Sequence, residues 1–232
     1  MQATTTGLPL LIATCKSKNS LDDEPIKEIY MPVKISTTNS KLGLIPSVNL
    51  PPITTCRSNC PCAKDCYATK GRFRFQNVKD NLANNYRIYF HDPETYFEEI
   101  KRAINNGMVS YSYFRWHAAG DFVDRAYFEG VVKVAEELPL TSFLAFTKKF
   151  EIVNEFIHNG GTIPKNLHIV LSAWGDDFQI DNPYSFPVAY VRFKDSENKS
   201  IPETAAECSG DCTNCLQCWN IKAGESVVFN KH

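Results

Sequence analysis

The sequence predicts an α/β fold, a partial or complete (β/α) barrel, with an open doubly wound sheet as the second choice. Strand-like runs at 109–118, 142–147, 167–173 and 187–193 alternate with helical segments, the pattern of parallel βαβ units. No glycine-rich phosphate loop is present, which leaves the nucleotide-binding form of the doubly wound sheet with little support. At 232 residues the chain can bury the core such a fold needs, and it reads as a single domain over 1–232.

The first fifty residues read as short strands and turns. YMPVKIS (30–36) contains a proline, which suits an edge strand because proline has no N–H for a neighbour. LIPSVNLPPITTC (44–56) has three prolines and predicts an extended approach to a cysteine loop. Helical order begins after that loop: Val78, Leu82, Tyr86 and Tyr89 form one apolar face. In HDPETYFEEIKRAINNG, Asp92 is placed to cap, Pro93 takes the first helical position and Gly107 marks the exit, with Phe97, Ile100 and Ile104 inward. Beyond the 109–118 strand a helix is expected from about Asp124 to Leu138, with Tyr127, Val131, Val134 and Leu138 inward. SFLAFT (142–147) precedes a helix near 150–158 that stops at Asn159-Gly160-Gly161. LHIVLSA (167–173) and PVAYVRF (187–193) continue the strand series.

With 25 basic and 26 acidic residues, the chain is not one that coats nucleic acid through overall charge. The start, MQATTTGLPLLIATC, lacks the basic n-region and small-residue cleavage site of a signal peptide, and no apolar stretch approaches a membrane span. A cytoplasmic, reducing setting without membrane attachment is therefore expected, and it disfavours structural disulfides. The nine cysteines divide into two sets of four and the isolated Cys15. Sets of four thiols are what soft metal centres require.

The C-terminal loop (203–220) contains Cys208, Cys212, Cys215 and Cys218, the last three in CX2CX2C. Two-residue gaps let successive thiolates converge while backbone amides turn toward the sulfurs, as in ferredoxin-type [4Fe–4S] loops. CX2C units also hold zinc, so zinc stays an alternative here. The N-terminal loop, CRSNCPCAKDC (56–66), holds Cys56, Cys60, Cys62 and Cys66, and its CX3C and CXC gaps favour iron–sulfur over a zinc knuckle. It partly resembles the CX3CX2C loop of radical S-adenosylmethionine enzymes. That pattern would need a cysteine at Thr69 or at Ala63, which weakens the expectation that S-adenosylmethionine is a cofactor.

Residues 56–79 hold Arg57, Lys64, Lys70, Arg72, Arg74 and Lys79 against Asp65, whereas 203–218 hold Glu203, Glu207 and Asp211 with no basic residue. Opposite charge favours approach of the two loops, and the cations are expected to offset a thiolate cluster. Interleaved with Tyr67, Phe73 and Phe75, the stretch 67–79 is alternatively a nucleic-acid contact. In YSYFRWHAAGDF, strand alternation predicts Tyr111, Tyr113, Arg115 and His117 on one face. Arg115, His117, Asp121 and, on the next strand, Lys148 are candidate catalytic residues, with Ser172 on the same rim, because barrel sites gather at strand C-termini. An ion pair between Arg115 and Asp121 is an equally good reading. No Ser-His-Asp order, glutamate pair or HEXXH motif supports a hydrolase.

Together, Cys66-Tyr67-Ala68 with the following KGRFRF, the H-x-x-G-D-F segment (His117 to Phe122), the FTK strand end (Phe146 to Lys148) and the terminal CXXCXXCW (Cys212 to Trp219) resemble the bacteriophage "gene product 88" family. The resemblance covers roughly 44–230. It implies a phage-encoded, iron–sulfur protein of the bacterial cytoplasm, with a barrel similar to that of radical S-adenosylmethionine enzymes, and it supplies no reaction. The resulting expectation is one or two [4Fe–4S] clusters serving redox or radical-type chemistry, with the redox partner or small-molecule substrate unspecified. The alternative is a zinc-stabilised module that binds nucleic acid or protein.

Overall fold

The computed structural model describes residues 31–106 and 112–231. The readings made for 1–30, including Cys15 and the first residue of the 30–36 run, lie outside the described residues, as do Gly107 and residues 109–111 of the 109–118 run.

The described chain is a mixed α/β structure. Its strands are β1 (Ile35–Ser36), β2 (Ser47–Val48), β3 (Tyr113–Trp116), β4 (Ser142–Thr147), β5 (Leu167–Ser172), β6 (Val188–Arg192), β7 (Ala206–Glu207) and β8 (Ser226–Asn230). The helices are α1 (Gln76–His91), α2 (Pro93–Asn105), α3 (Arg125–Glu137), α4 (Phe150–His158) and the one-turn α5 (Cys212–Cys215). All strands join one sheet in the order β1-β2-β3-β4-β5-β6-β8-β7. The β1–β2 pair is antiparallel and every other pair is parallel.

From β1 to β6 spatial order follows chain order, so each helical crossover returns the chain one strand further along. That excludes the doubly wound alternative, whose strand order reverses at a switch point. The complete barrel is also corrected: the two-residue strands β1 and β7 are the sheet's ends and do not pair with each other, so the sheet stays open. β8 inserts between β6 and β7. The expected edge strand is present as β1.

Helix boundaries follow local chemistry. Asp92 caps α2 by accepting from the Thr95 N–H at 2.9 Å, ahead of Pro93, and Asp124 caps α3 through the Tyr127 N–H at 2.8 Å. Satisfying such otherwise orphaned donors defines where a helix starts.

Alternate residues of the strands feed two cores. Phe114, Trp116, Phe143, Ala145, Leu167 and Ile169 pack with the buried faces of α1 to α4. On the opposite face Leu144, Val170, Ala189 and Val227 pack with Leu42, Ile45, Trp219 and Ile221. Helices therefore cover one face, and the C-terminal cysteine segment lies on the other. The period-two alternation of side chains makes this division possible.

Candidate metal centre

Both cysteine loops reach the face of the sheet opposite α1 to α4. The prolines after β2 lead to Thr55, whose N–H bonds Pro51 O at 3.2 Å and whose Oγ1 accepts from the Asp121 N–H at 3.2 Å. This ties the chain before Cys56 to the end of β3. On the other side, the Cys208 N–H donates to Val228 O on β8 and the Cys212 N–H to Lys41 O, both at 2.9 Å. All four thiols of each set line one cavity of about 280 Å³. The two loops thus meet at one cavity, each tied by backbone bonds to neighbouring elements and not to the other loop. The ion pairs there run differently, joining Asp65 to Lys231 and Glu207 to Arg192.

The eight described cysteines are free thiols. Within the N-terminal set, Cys60 and Cys62 bring their sulfurs to 3.2 Å, and Cys56 also hydrogen-bonds Cys60. The Cys60 thiol is pulled far below its usual range, first by the bond from Cys56 and then by that from Cys62, with Lys148 adding positive charge. Cys56 and Cys62 move up, because each shares a hydrogen bond with Cys60 and each is desolvated. In the C-terminal set burial raises Cys212 and takes Cys218 to about 11, opposed by Arg115 at both and by Lys41 at Cys212.

Among the described residues no three His, Cys, Asp or Glu side chains stand in metal-holding geometry; the thiols line walls instead of closing on one point. The donor chemistry nonetheless fits a soft centre, since each set supplies four sulfurs to one chamber with cations beside them.

Those cations are not the ones the sequence singled out. Lys148 faces Cys60 and Cys62, Lys41 faces Cys212, and Arg115 faces Cys212 and Cys218. In the 56–79 stretch Lys64, Lys70, Arg72, Arg74 and Lys79 are exposed. Arg57 stacks on Phe150 and Phe178 and donates to Lys148 O at 3.3 Å. Counter-charge therefore comes from β3, β4 and the turn before β2, elements distant in sequence from the cysteines they serve.

All four candidate catalytic residues line the cavity, and they divide by what their side chains bond. Arg115 and Lys148 line the cavity with Ser172. Arg115 donates from Nε to Trp116 O at 3.1 Å and from Nη2 to His117 O at 3.3 Å, and lies 4.1 Å from the Phe146 ring centre. Desolvation lowers its pKa from the usual guanidinium value. Although His117 is near the cavity wall, its side chain does not continue the alternation. At φ 56° the backbone is left-handed, and the ring bonds Tyr127 Oη at 2.9 Å in the helix-side core. Burial, then Arg115 and Lys149, depresses His117 to about 3, and among the described residues its Nδ1 has no hydrogen-bond partner.

Among the described residues Asp121 and Arg115 form no ion pair. Its carboxylate accepts from Thr147 Oγ1 at 2.7 Å, the Phe122 N–H at 2.8 Å and the Lys148 N–H at 2.9 Å. Those bonds make it a brace between the ends of β3 and β4. Desolvation still raises its pKa.

Sequence reasoning missed Asn49. Its Oδ1 accepts from the Ala118 and Ala119 N–H groups at 2.7 and 3.1 Å, and Asn85 Nδ2 donates to its carbonyl at 3.0 Å. A lone asparagine among prolines carries no local signal of such long-range bonds. Tyr67 also enters, by donating its hydroxyl to Ala118 O.

A family model described as Gene product 88 matches residues 16–221, and the chain belongs to that family. No curated protein and no solved structure matches it.

Proposed function

We propose that this member of the gene product 88 family is a phage-encoded iron–sulfur protein with a redox role in the host cytoplasm. In this reading Cys56, Cys60, Cys62 and Cys66 hold a [4Fe–4S] cluster, and Cys208, Cys212, Cys215 and Cys218 hold a second cluster or a zinc ion. The observation that supports it is that two four-thiol sets open into the same cavity. A bound cluster would supply one-electron transfer. The chain's own part is to desolvate the thiols and set Lys41, Arg115 and Lys148 beside them, which favours the thiolate state that ligation requires.

Strand order that follows chain order through β6 supports reading the open sheet as a partial (β/α) barrel, with the cavity at strand C-termini. Radical-type chemistry with S-adenosylmethionine is the narrower version. Anaerobically purified protein should be brown, bleach with dithionite and contain iron and acid-labile sulfide. Cys62→Ser and Cys215→Ser should each lose part of that content if there are two centres. Colourless protein carrying only zinc would refute the reading, and an unchanged cluster spectrum on adding S-adenosylmethionine would refute the narrower version.

The alternative is a zinc-stabilised nucleic-acid- or protein-binding module, favoured by the exposure of Arg72, Arg74 and Phe75, the last 60% exposed. It requires salt-sensitive binding that weakens in Arg72→Ala and Arg74→Ala. Binding indifferent to both changes would reject it.

A further inference from the structure

Arg115 is the half-buried cation whose surroundings leave most to explain. Its guanidinium is oriented by the Trp116 and His117 carbonyls and by Phe146. Those two bonds use two of its five N–H donors. The acids lining the cavity are Asp65 and Asp121. Asp65 is paired with Lys231 at 2.9 Å, and Asp121 is engaged by Thr147, Phe122 and the Lys148 N–H. Lys41, a second cation on the wall, lies 4.1 Å from the Phe229 ring centre. Among the described residues, neither Arg115 nor Lys41 makes an ion pair with a carboxylate.

An oriented guanidinium presents parallel N–H groups that match the two oxygens of a carboxylate. The wall beside Arg115 is apolar, formed by Leu144, Phe146, Ala189, Val227 and Phe229. A volume of about 280 Å³ is at the small end of ligand sites and suits a compact organic acid better than a nucleotide or a polymer.

We propose that this cavity binds a small organic monocarboxylate, with its carboxylate on Arg115, assisted by Lys41, and its carbon body against Phe146 and Phe229. Its assignment as the substrate class of a redox site rests on the function proposed above; the binding itself does not. Both cysteine sets line the same cavity.

Calorimetric titration of anaerobically purified protein, with its native metal content, tests this using acetate, butyrate, hexanoate, benzoate and inorganic phosphate. Saturable binding is expected, tightening from acetate to hexanoate or benzoate, with phosphate weaker than both. Arg115→Gln should weaken benzoate at least tenfold and Arg115→Lys less. Unfolding midpoints and metal content serve as controls for the variants. Absence of saturable carboxylate binding in the wild type would overturn the proposal, as would phosphate binding as tightly as benzoate, or Arg115→Gln binding within twofold of wild type. Should Arg115→Gln fail to fold, Lys41→Gln replaces it: severalfold weakening supports the site and unchanged affinity overturns it. Brown protein that binds no carboxylate rejects this site alone, whereas colourless zinc protein that binds benzoate rejects the redox reading alone.

Discussion

Replacing Gly120 with alanine tests how the end of β3 positions the first cysteine loop. Gly120 has φ +84°, and a Cβ built there would lie 2.7 Å from Thr55 Oγ1, 2.8 Å from Leu50 O and 2.9 Å from Leu50 Cβ. The left-handed backbone costs a non-glycine residue about 1–2 kcal/mol, and overpacking adds about 1–3 kcal/mol, because Leu50 O and Cβ cannot rotate away. The combined destabilisation is about 2–5 kcal/mol. In a domain of this size each kcal/mol lowers Tm by roughly 2–4 °C.

The displaced groups also set the path to Cys56. Leu50 N–H bonds Ala119 O at 3.0 Å, and Thr55, next to Cys56, receives the Asp121 N–H. On the metal-centre reading proposed above, Gly120→Ala should therefore lose metal as well as stability. Gly160→Ala is the control: φ is +87° but no neighbouring atom lies within 4 Å of the added Cβ, so it should cost about 1–2 kcal/mol from backbone strain alone and keep its metal. Urea unfolding with metal analysis of both variants reads the difference. Gly120→Ala no less stable than Gly160→Ala, or with full metal content, would refute the packing account.

Asn49→Ala should cost about 2–4 kcal/mol in urea unfolding, since it orphans the buried Ala118 and Ala119 N–H groups; a loss under 1 kcal/mol would show that water replaces the side chain. His117 is held at about 3 against an ordinary 6.5, so folding favours the neutral ring. The associated stability is complete above about pH 6.5 and drains away as pH falls toward about 3. His117→Asn, which tolerates the left-handed backbone, should flatten that acid limb of the stability curve, and an unchanged slope would count against the buried neutral histidine. Gly130→Ala on α3 would place a Cβ 2.2 Å from the Phe97 ring; despite a helix-propensity gain of about 1 kcal/mol, thermal melts should show a net loss, and a raised Tm would mean that Phe97 simply moves aside.

The sequence by itself determined the elements whose causes are local. Asp92 and Pro93 mark the start of α2, Asp124 caps α3, and the β4 and α4 boundaries follow from apolar runs and turn residues. The eight clustered thiols were equally legible, because ligand spacing is written in consecutive residues. Tertiary structure decided what depends on distant partners. β8 entered between β6 and β7, although SVVFN is a short run without a distinctive boundary. His117 left the face that alternation predicts because one left-handed residue ends the strand's period. The charges beside the thiols came from Lys41, Arg115 and Lys148 and not from the basic stretch next to the first cysteine loop. Spacing specifies which side chains can act together locally, whereas strand pairing across the sheet brings both cysteine sets and their cations to one cavity.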